Sequence, residues 1–195
     1  MFLPSLGDVR AAFDLVRREV ASVMPSLRLH LGAENFWDEL FAERRRENEI
    51  PAYDDGKSFL FEVNTSIMPP SLEPSLFALR VAGRIPVMAH PERYAAVQRD
   101  FALAERLSRQ AAFLVDLAAL SGKGRRAEVK AARRLLEDGL AHAATSDMHG
   151  LDDAPAVAEG VTWIKKRLGE RALTQLLDEN PRRILVGQFP EALTL

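Results

Sequence analysis

The feature that most constrains the fold is a regular alternation of short apolar runs and helical segments. After one helix predicted over 8–24, with Asp8 as its N-cap, strand-like and helix-like segments alternate five times along the 195-residue chain. Neighbouring parallel strands need long crossover connections, which are usually helices. The alternation therefore predicts an α/β fold with a parallel sheet or barrel and helices outside it. The predicted strands cover 27–32, 58–64, 85–90, 113–117 and 141–145, and the later helices cover 37–48, 70–83, 101–110, 125–139, 154–168 and 171–179.

The composition limits both the number of domains and the kinds of partner. A chain of this length can bury one substantial core, so we expect residues 1–195 to form a single domain. The formal net charge of −2 argues against general attraction to nucleic acids or anionic membranes. No apolar run reaches the roughly 18 residues of a membrane span. The first four residues lack the basic region and apolar stretch of a secretory signal, so the expected location is the cytoplasm.

The chain contains no cysteine, and this excludes two kinds of chemistry. Thiolate nucleophiles, including those of cysteine-dependent phosphatases, and thiolate metal sites both need that side chain. Any catalysis must therefore use carboxylates, histidine, hydroxyls, lysine, or a metal ion held by nitrogen and oxygen ligands.

Carboxylate or imidazole side chains lie at the ends of four of the five predicted strands. Functional residues of parallel α/β folds lie at the C-terminal ends of strands, and therefore at one rim. Each residue alone has an ordinary explanation, since an acidic residue after a strand often caps a helix. Together they predict a metal site, because carboxylate oxygens and imidazole nitrogens suit Mn²⁺, Zn²⁺ or Fe²⁺. The predicted ligands are Glu34, Glu62, His90, Asp147 and His149.

Arg93 lies three residues after His90, in the stretch PVMAHPERY (86–94). A guanidinium fork suits the oxygens of a phosphate. A metal and an arginine at one rim therefore indicate phosphoester hydrolysis by metal-activated water. Arg93 and His90 are the predicted catalytic residues. The alternative for Arg93 is an ion pair with Glu92 or another carboxylate.

Three further polar residues are given supporting places. His30 and His142 lie inside predicted strands, several residues before the rim, and are predicted to belong to the core or to the surroundings of the ligands. Asp116 ends the fourth predicted strand. It is either a carboxylate that supports the site or a cap at the strand end.

Five stretches occur in an order and spacing that resemble the PHP (polymerase and histidinol phosphatase) superfamily. The branch that the chain most resembles is the manganese-dependent bacterial protein-tyrosine phosphatases of capsule and exopolysaccharide operons, and the resemblance covers essentially the whole chain. It implies a distorted seven-stranded (βα)7 barrel of TIM type, with up to three metal ions, as Mn²⁺, at its C-terminal rim. The stretches are GAE (32–34), FEVN (61–64), PVMAHPERY (86–94), ATSDMHGLD (144–152) and DENPRRIL (178–185).

The resemblance also implies roles for individual residues. Arg93 matches a position that grips the phosphate, and the implied substrate is phosphotyrosine on the tyrosine kinase of the same operon. The absence of cysteine agrees with a branch that uses a metal ion instead of a thiolate. Positions that bind or border the metals in this branch are matched by Glu34, Glu62, His90, Asp147 and His149.

The chain departs from the family pattern at two places. The Asp-x-His-x-His strand, the Asp-Asp-Gly loop and the second strand that open the family are absent, and the DDG at 54–56 enters a later strand. The resemblance therefore implies a barrel that lacks its first two strands, keeps five, and binds fewer metals. After SDMH, Asp153 or Ala154 stands where the family usually places a second arginine.

Three functions follow from these observations. The first is a metal-dependent protein-tyrosine phosphatase whose start lies upstream. The second is a truncated, catalytically silent domain that serves as a binding or assembly partner, and the third is a phosphatase of another small phosphoester. A barrel without two strands has open strand edges, so the chain is expected to be unstable or to form a homo-oligomer unless something covers the gap. Without the His-x-His half of the cluster, we expect at most trace phosphatase activity.

Overall fold

The computed structural model describes residues 5–194, except for the side chain of Leu6. The strands within these residues are β1 (Glu34–Phe36), β2 (Ser58–Glu62), β3 (Ile85–Ala89), β4 (Ala112–Asp116) and β5 (Ala143–Thr145). They form one sheet in the order β1-β2-β3-β4-β5, and every neighbouring pair is parallel. The predicted α/β fold with a parallel sheet is confirmed. Within the described residues β1 and β5 are edge strands, and the seven-stranded barrel stays a prediction.

Helices make most of the connections between the strands. They are α1 (Leu6–Val23), α2 (Glu39–Glu47), α3 (Leu72–Val81), α4 (Ala95–Arg99), α5 (Phe101–Ser108), α6 (Leu117–Leu120), α7 (Arg126–Glu137), α8 (Ala154–Thr174) and α9 (Asn180–Leu185). Gly169, with φ of 91°, breaks the path of α8 between the two helices predicted there. Within the described part of the chain, no helix combines the length and the apolar character needed to cross a bilayer.

The N-cap of α1 is Ser5, and the prediction of Asp8 is wrong. The Ser5 hydroxyl accepts a hydrogen bond from the Asp8 N–H, and the Asp8 carboxylate accepts one from the Ser5 N–H, both at 3.2 Å. This reciprocal capping box satisfies two backbone donors that the helix itself cannot satisfy. Asp8 therefore belongs to the first turn of the helix.

The main core lies between one face of the sheet and the helices. Phe59 and Phe61 of β2, Met88 of β3 and Phe113 of β4 are fully buried there. Each such side chain contributes roughly 2 kcal/mol of stabilisation by leaving water. Because successive side chains of a strand point to opposite faces, the residues between them face the other side. That second face carries smaller residues, namely Val87, Ala112 and Ala143, which pack against Ile184.

The position of the first predicted strand is wrong. Residues 27–32 form no strand, and Leu27 is 47% exposed. Alternating leucines favour an extended chain, but a strand forms only where a neighbour offers backbone hydrogen-bond partners. β1 begins at Glu34, which lies opposite Leu60. Glu34 therefore starts a strand instead of following one, and only its long side chain reaches the rim.

Gly160 fixes the end of β4 by letting two helices meet closely. A Cβ at this position of α8 would lie 2.0 Å from the carbonyl oxygen of Leu117. Leu117 begins α6 directly after Asp116, the last residue of β4. Any larger residue at 160 would push α6 away and shift the strand end that carries Asp116.

Candidate metal and phosphate site

The candidate site lies at the carboxyl ends of the strands, where two turns have unusual backbone geometry. His90 follows β3 and Asp147 lies two residues beyond β5, and their φ angles are 33° and 45°. A residue other than glycine in this left-handed region costs about 1–3 kcal/mol, and such residues concentrate at functional sites. Both residues are ionisable, and both were predicted as metal ligands.

Glu34, Glu62 and His90 form a compact group at this rim. His90 Nε2 lies 3.2 Å from Glu34 Oε1 and 3.5 Å from Glu62 Oε2. One ligand atom of each residue lies within 4.8 Å of the others, and residues 5–194 contain no second group of three acidic or imidazole side chains with this geometry. His90 is buried, whereas the two glutamates are partly exposed. The group therefore has a buried imidazole on its inner side and two carboxylates that a ligand can reach from solvent.

Electrostatic repulsion acts inside this group. Partial burial raises the pKa of Glu62, and the charge of Glu34 raises it further, while His90 and Arg93 oppose both effects. Among the described residues, the only basic side chain with a nitrogen within 4.0 Å of the Glu34 or Glu62 carboxylate is His90. The two carboxylates therefore lie close together with one imidazole between them, and a divalent cation would relieve their repulsion.

The donor set fits a divalent metal ion. Two carboxylate oxygens and one imidazole nitrogen are ligands that Mn²⁺, Zn²⁺ and Fe²⁺ accept. His90 Nδ1 is buried and has no hydrogen-bond partner within the described residues. The polar contacts of the imidazole are therefore confined to Nε2 and the two carboxylates, which is where a shared ion would lie.

Arg93 lies beside the group and joins two aspartates. Its Nη2 donates hydrogen bonds to Asp116 Oδ2 at 2.8 Å and to Asp147 Oδ2 at 2.7 Å. Partial burial lowers the pKa of Arg93, but these two bonds outweigh that effect and raise it, so the guanidinium stays charged. An ion pair with a carboxylate is confirmed, although Glu92 is the wrong partner. Asp116 also caps α6 by accepting a hydrogen bond from the Ala118 N–H at 2.8 Å, so both of its predicted roles are present.

The side chain of Glu92 points into the protein and binds the backbone of Asp116. It is fully buried, and its Oε1 accepts a hydrogen bond from the Asp116 backbone N–H at 3.1 Å. Burial raises the pKa of Glu92 to about 8, so the carboxyl group keeps its proton at neutral pH. Sequence reasoning missed this role because a glutamate in a turn is almost always exposed.

Tyr94 ties together the two strand ends that carry Glu62 and His90. Its hydroxyl donates a hydrogen bond to the Ala89 carbonyl oxygen at 2.9 Å and accepts one from the Val63 N–H at 3.3 Å. The ring is fully buried. Tyr94 is the last residue of the PVMAHPERY stretch. Its place in that stretch was the one indication in the sequence that it has a structural role.

Asp147 and His149 do not join the carboxylate–imidazole group. Asp147 is paired with Arg93, and the exposed His149 places Nδ1 2.9 Å from the Asp147 carbonyl oxygen. Asp153 accepts hydrogen bonds from the backbone N–H groups of His149 and Gly150. Asp153, one of the two residues considered for the position of the family's second arginine, is therefore a carboxylate that stabilises the turn. Metal binding by Asp147 and His149 stays a prediction.

The other two histidines have different outcomes. His142 is buried as predicted, and its Nδ1 accepts a hydrogen bond from the Phe113 N–H at 3.1 Å. The prediction that His30 belongs to the core or the surroundings of the ligands is wrong. His30 is exposed and lies 2.6 Å from Asp54 Oδ2, because the segment that carries it never enters the sheet.

Known proteins are similar to this chain in sequence and in fold. Residues 3–186 match the family model described as capsular polysaccharide synthesis, CpsB/CapC. The chain is 28% identical to the tyrosine-protein phosphatase CpsB of Streptococcus pneumoniae over 97% of this chain and 81% of that protein. It is 26% identical to CpsB of Streptococcus agalactiae serotype V over 91% of this chain and 76% of the relative.

One solved structure has the same fold. It comes from the crystal structures of YwqE from Bacillus subtilis and CpsB from Streptococcus pneumoniae, described as metal-dependent tyrosine phosphatases. The match has a TM-score of 0.80 at 24% identity, over 96% of this chain and 78% of the other. Because the family model matches residues 3–186, which is nearly the whole of this chain, the chain belongs to the CpsB/CapC family of capsular polysaccharide synthesis.

Proposed function

We propose that this chain is a metal-dependent protein-tyrosine phosphatase. The observation that carries the proposal is the pairing of the Glu34–Glu62–His90 group with a charged arginine at the same rim. The tyrosine-protein phosphatase relatives in the same family support it. We further propose that the substrate is a tyrosine-phosphorylated protein of the cytoplasm, namely the kinase that regulates capsule or exopolysaccharide synthesis.

The metal would be held by Glu34, Glu62 and His90, and we propose Mn²⁺ because oxygen donors dominate the set. When bound, the ion would supply positive charge and lower the pKa of water, so that hydroxide is available as the nucleophile. Asp147 and His149 are proposed as further ligands. Asp147 would have to leave Arg93 to bind a metal, since its Oδ2 is now hydrogen-bonded there.

Arg93 would bind the phosphate of the substrate. Its two hydrogen bonds to protein both use Nη2, so Nε and Nη1 have no protein partner within the described residues. Nη1 carries two N–H donors, so it can donate to a phosphate oxygen while Nη2 stays bonded to the aspartates. Asp116 holds the side chain and keeps it charged when the phosphate binds, and Asp147 does the same as long as it is not bound to a metal.

The proposal is tested by assaying the full chain on a phosphotyrosine peptide with added Mn²⁺ and with a chelator. Because the chain lacks the His-x-His half of the family's cluster, we expect slow hydrolysis, which the chelator abolishes. Arg93→Gln should lower the rate about 100-fold, as the loss of a preorganised charge typically does. Arg106→Gln is the matched control, since Arg106 forms an exposed ion pair with Glu73.

Two outcomes would contradict the proposal. Hydrolysis that survives chelation would show that the acidic group is not the source of activity. Mn²⁺ binding with no hydrolysis of the peptide would favour a different phosphoester or a catalytically silent domain.

A further inference from the structure

A cavity adjoins the candidate metal group along β1. It has a volume of about 420 Å³, and Glu34 and Glu62 form part of its lining. Side chains of β1 and α2 form the rest of the wall. Because two predicted metal ligands line it, a molecule larger than a phosphate that binds at the metal group can reach this cavity.

Apolar side chains line the cavity and face solvent. Phe36 is 45% exposed and Leu40 is 38% exposed, while Phe41 beside them is buried. Single exposed apolar residues are common on protein surfaces, but an exposed pair inside a concave site favours a bound ligand with an apolar part. Phe36 also offers a ring against which an aromatic group can pack.

Arg44 supplies the one positive side chain of the described lining. It is half-buried, and it forms no ion pair with a carboxylate of the described residues. Asp38, which also lines the cavity, caps α2 by accepting a hydrogen bond from the Phe41 N–H at 2.9 Å. The guanidinium of Arg44 is thus available to an anionic group of a ligand.

We propose that this cavity binds the aromatic ring of the substrate and an acidic residue next to it, so that the preferred substrate is phosphotyrosine in an acidic polypeptide segment. The inference rests on the proposed function, which places the phosphate beside Glu34, Glu62 and Arg93. The ring then lies against Phe36 and Leu40, and a carboxylate near the phosphotyrosine pairs with Arg44. Pockets that hold side chains or ligands of this size measure about 300–1,000 Å³, which agrees with the volume observed.

The test measures binding, so that it does not depend on catalysis. Two fluorescein-labelled peptides carry phosphonomethyl-phenylalanine, which cannot be hydrolysed, with either acidic or amide residues on both sides. Their dissociation constants are measured by fluorescence anisotropy with the full chain and Mn²⁺. The wild type should bind the acidic peptide more tightly. Arg44→Glu should weaken that binding about tenfold and change binding of the amide peptide less than about twofold.

Arg46→Glu is the matched control, because Arg46 lies on the same helix, is exposed, and does not line the cavity. It makes the same charge change and should alter both dissociation constants less than about twofold. Leu40→Asn tests the apolar wall. It should weaken both peptides and leave the binding of inorganic phosphate unchanged, since phosphate alone does not reach Leu40.

Each outcome separates the subsite from the enzymatic activity. Equal effects of Arg44→Glu and Arg46→Glu, or failure of the wild type to bind either peptide, would overturn the inference. Phosphotyrosine peptides of the same sequences are assayed for hydrolysis in parallel. The expected binding pattern without hydrolysis would contradict the phosphatase activity and support the subsite. Hydrolysis of both peptides that does not depend on Arg44 would support the phosphatase activity and contradict the subsite.

Discussion

The two ends of the sheet place equally buried histidines in opposite surroundings. His90, at the carboxyl ends of the strands, and His142, at the amino ends, are each 6% exposed. His90 faces Glu34 and Glu62 and has an unpartnered Nδ1. His142 accepts a backbone hydrogen bond through Nδ1 and packs edge-on against another ring. Burial therefore does not distinguish the functions of these two histidines. The polar groups around each imidazole ring do.

The amino end satisfies its polar groups internally. Asn180 donates hydrogen bonds from Nδ2 to the carbonyl oxygens of His142 and Glu191, and its Oδ1 accepts one from the Glu191 N–H. The carboxyl end instead keeps two carboxylates close together. Proteins tolerate such local conflict mainly at functional sites, so polar substitutions at the two ends should have opposite effects on stability.

The largest expected effect is an acid-dependent loss of stability at the amino end. Burial, and then the charge of Arg80, lower the pKa of His142 to about 4 from 6.5. Between these values the unfolded chain holds a proton that the folded chain excludes. The free energy of unfolding should therefore fall by roughly 3 kcal/mol through this group as the pH drops from about 6.5 to about 4.

Urea denaturation at a series of pH values measures this effect. His142→Gln removes the titrating group, so the variant should lose stability less steeply over the same range. Equal acid dependence of the wild type and the variant would show that His142 is not held neutral by the fold.

Asn180→Ala should lower the free energy of unfolding by about 2 kcal/mol, because it removes one buried and two partly buried hydrogen bonds and leaves their backbone partners unsatisfied. The measurement is urea denaturation at neutral pH. Gln188→Ala is the control, since Gln188 is exposed in the neighbouring segment and should change stability by less than about 0.5 kcal/mol. Similar values for the two variants would remove the contrast between the ends of the sheet.

At the carboxyl end, Glu62→Gln should raise the stability of the metal-free protein by about 0.5 kcal/mol. It removes repulsion with Glu34, and the partial exposure of both groups keeps the effect small. With Mn²⁺ present, the wild type should be more stable than Glu62→Gln, because it gains stability by binding the ion. Thermal unfolding with and without Mn²⁺ measures both, with exposed Glu49→Gln as the control. If Glu62→Gln were less stable than the wild type without metal, Glu34 and Glu62 would not repel each other enough to destabilise the folded protein.

Much of the architecture could be predicted from local patterns. Four strands and most helices lie near their predicted positions, because periodicity of apolar residues reports which face a segment buries. The prediction of a strand at 27–32 was wrong, because alternating leucines indicate an extended chain but do not show that a neighbouring strand is available to pair with it. His30 failed with it, since its predicted burial depended on that strand.

The site was predicted only in part. Grouping Glu62 and His90 was possible because strand ends share a rim in this fold class. Glu34 joins them from the start of β1, by the reach of its side chain. The roles of Glu92 and Tyr94 were not predictable, because no local pattern shows that a glutamate or a tyrosine hydroxyl will be turned inward to hold backbone groups. The pairing of Asp147 with Arg93 likewise depends on contacts between distant segments.

The sequence by itself determined the parallel α/β class, the absence of thiolate chemistry, and the residue types that could bind a metal and a phosphate. These are consequences of composition and of periodicity over short segments. Only the tertiary structure decided which residues meet. Glu34 and His90 are 56 residues apart in the chain but 3.2 Å apart in space, and Asp147 lies against Arg93 instead of beside them. Ligand geometry is a property of distances through space, which strand register and turn conformation set together.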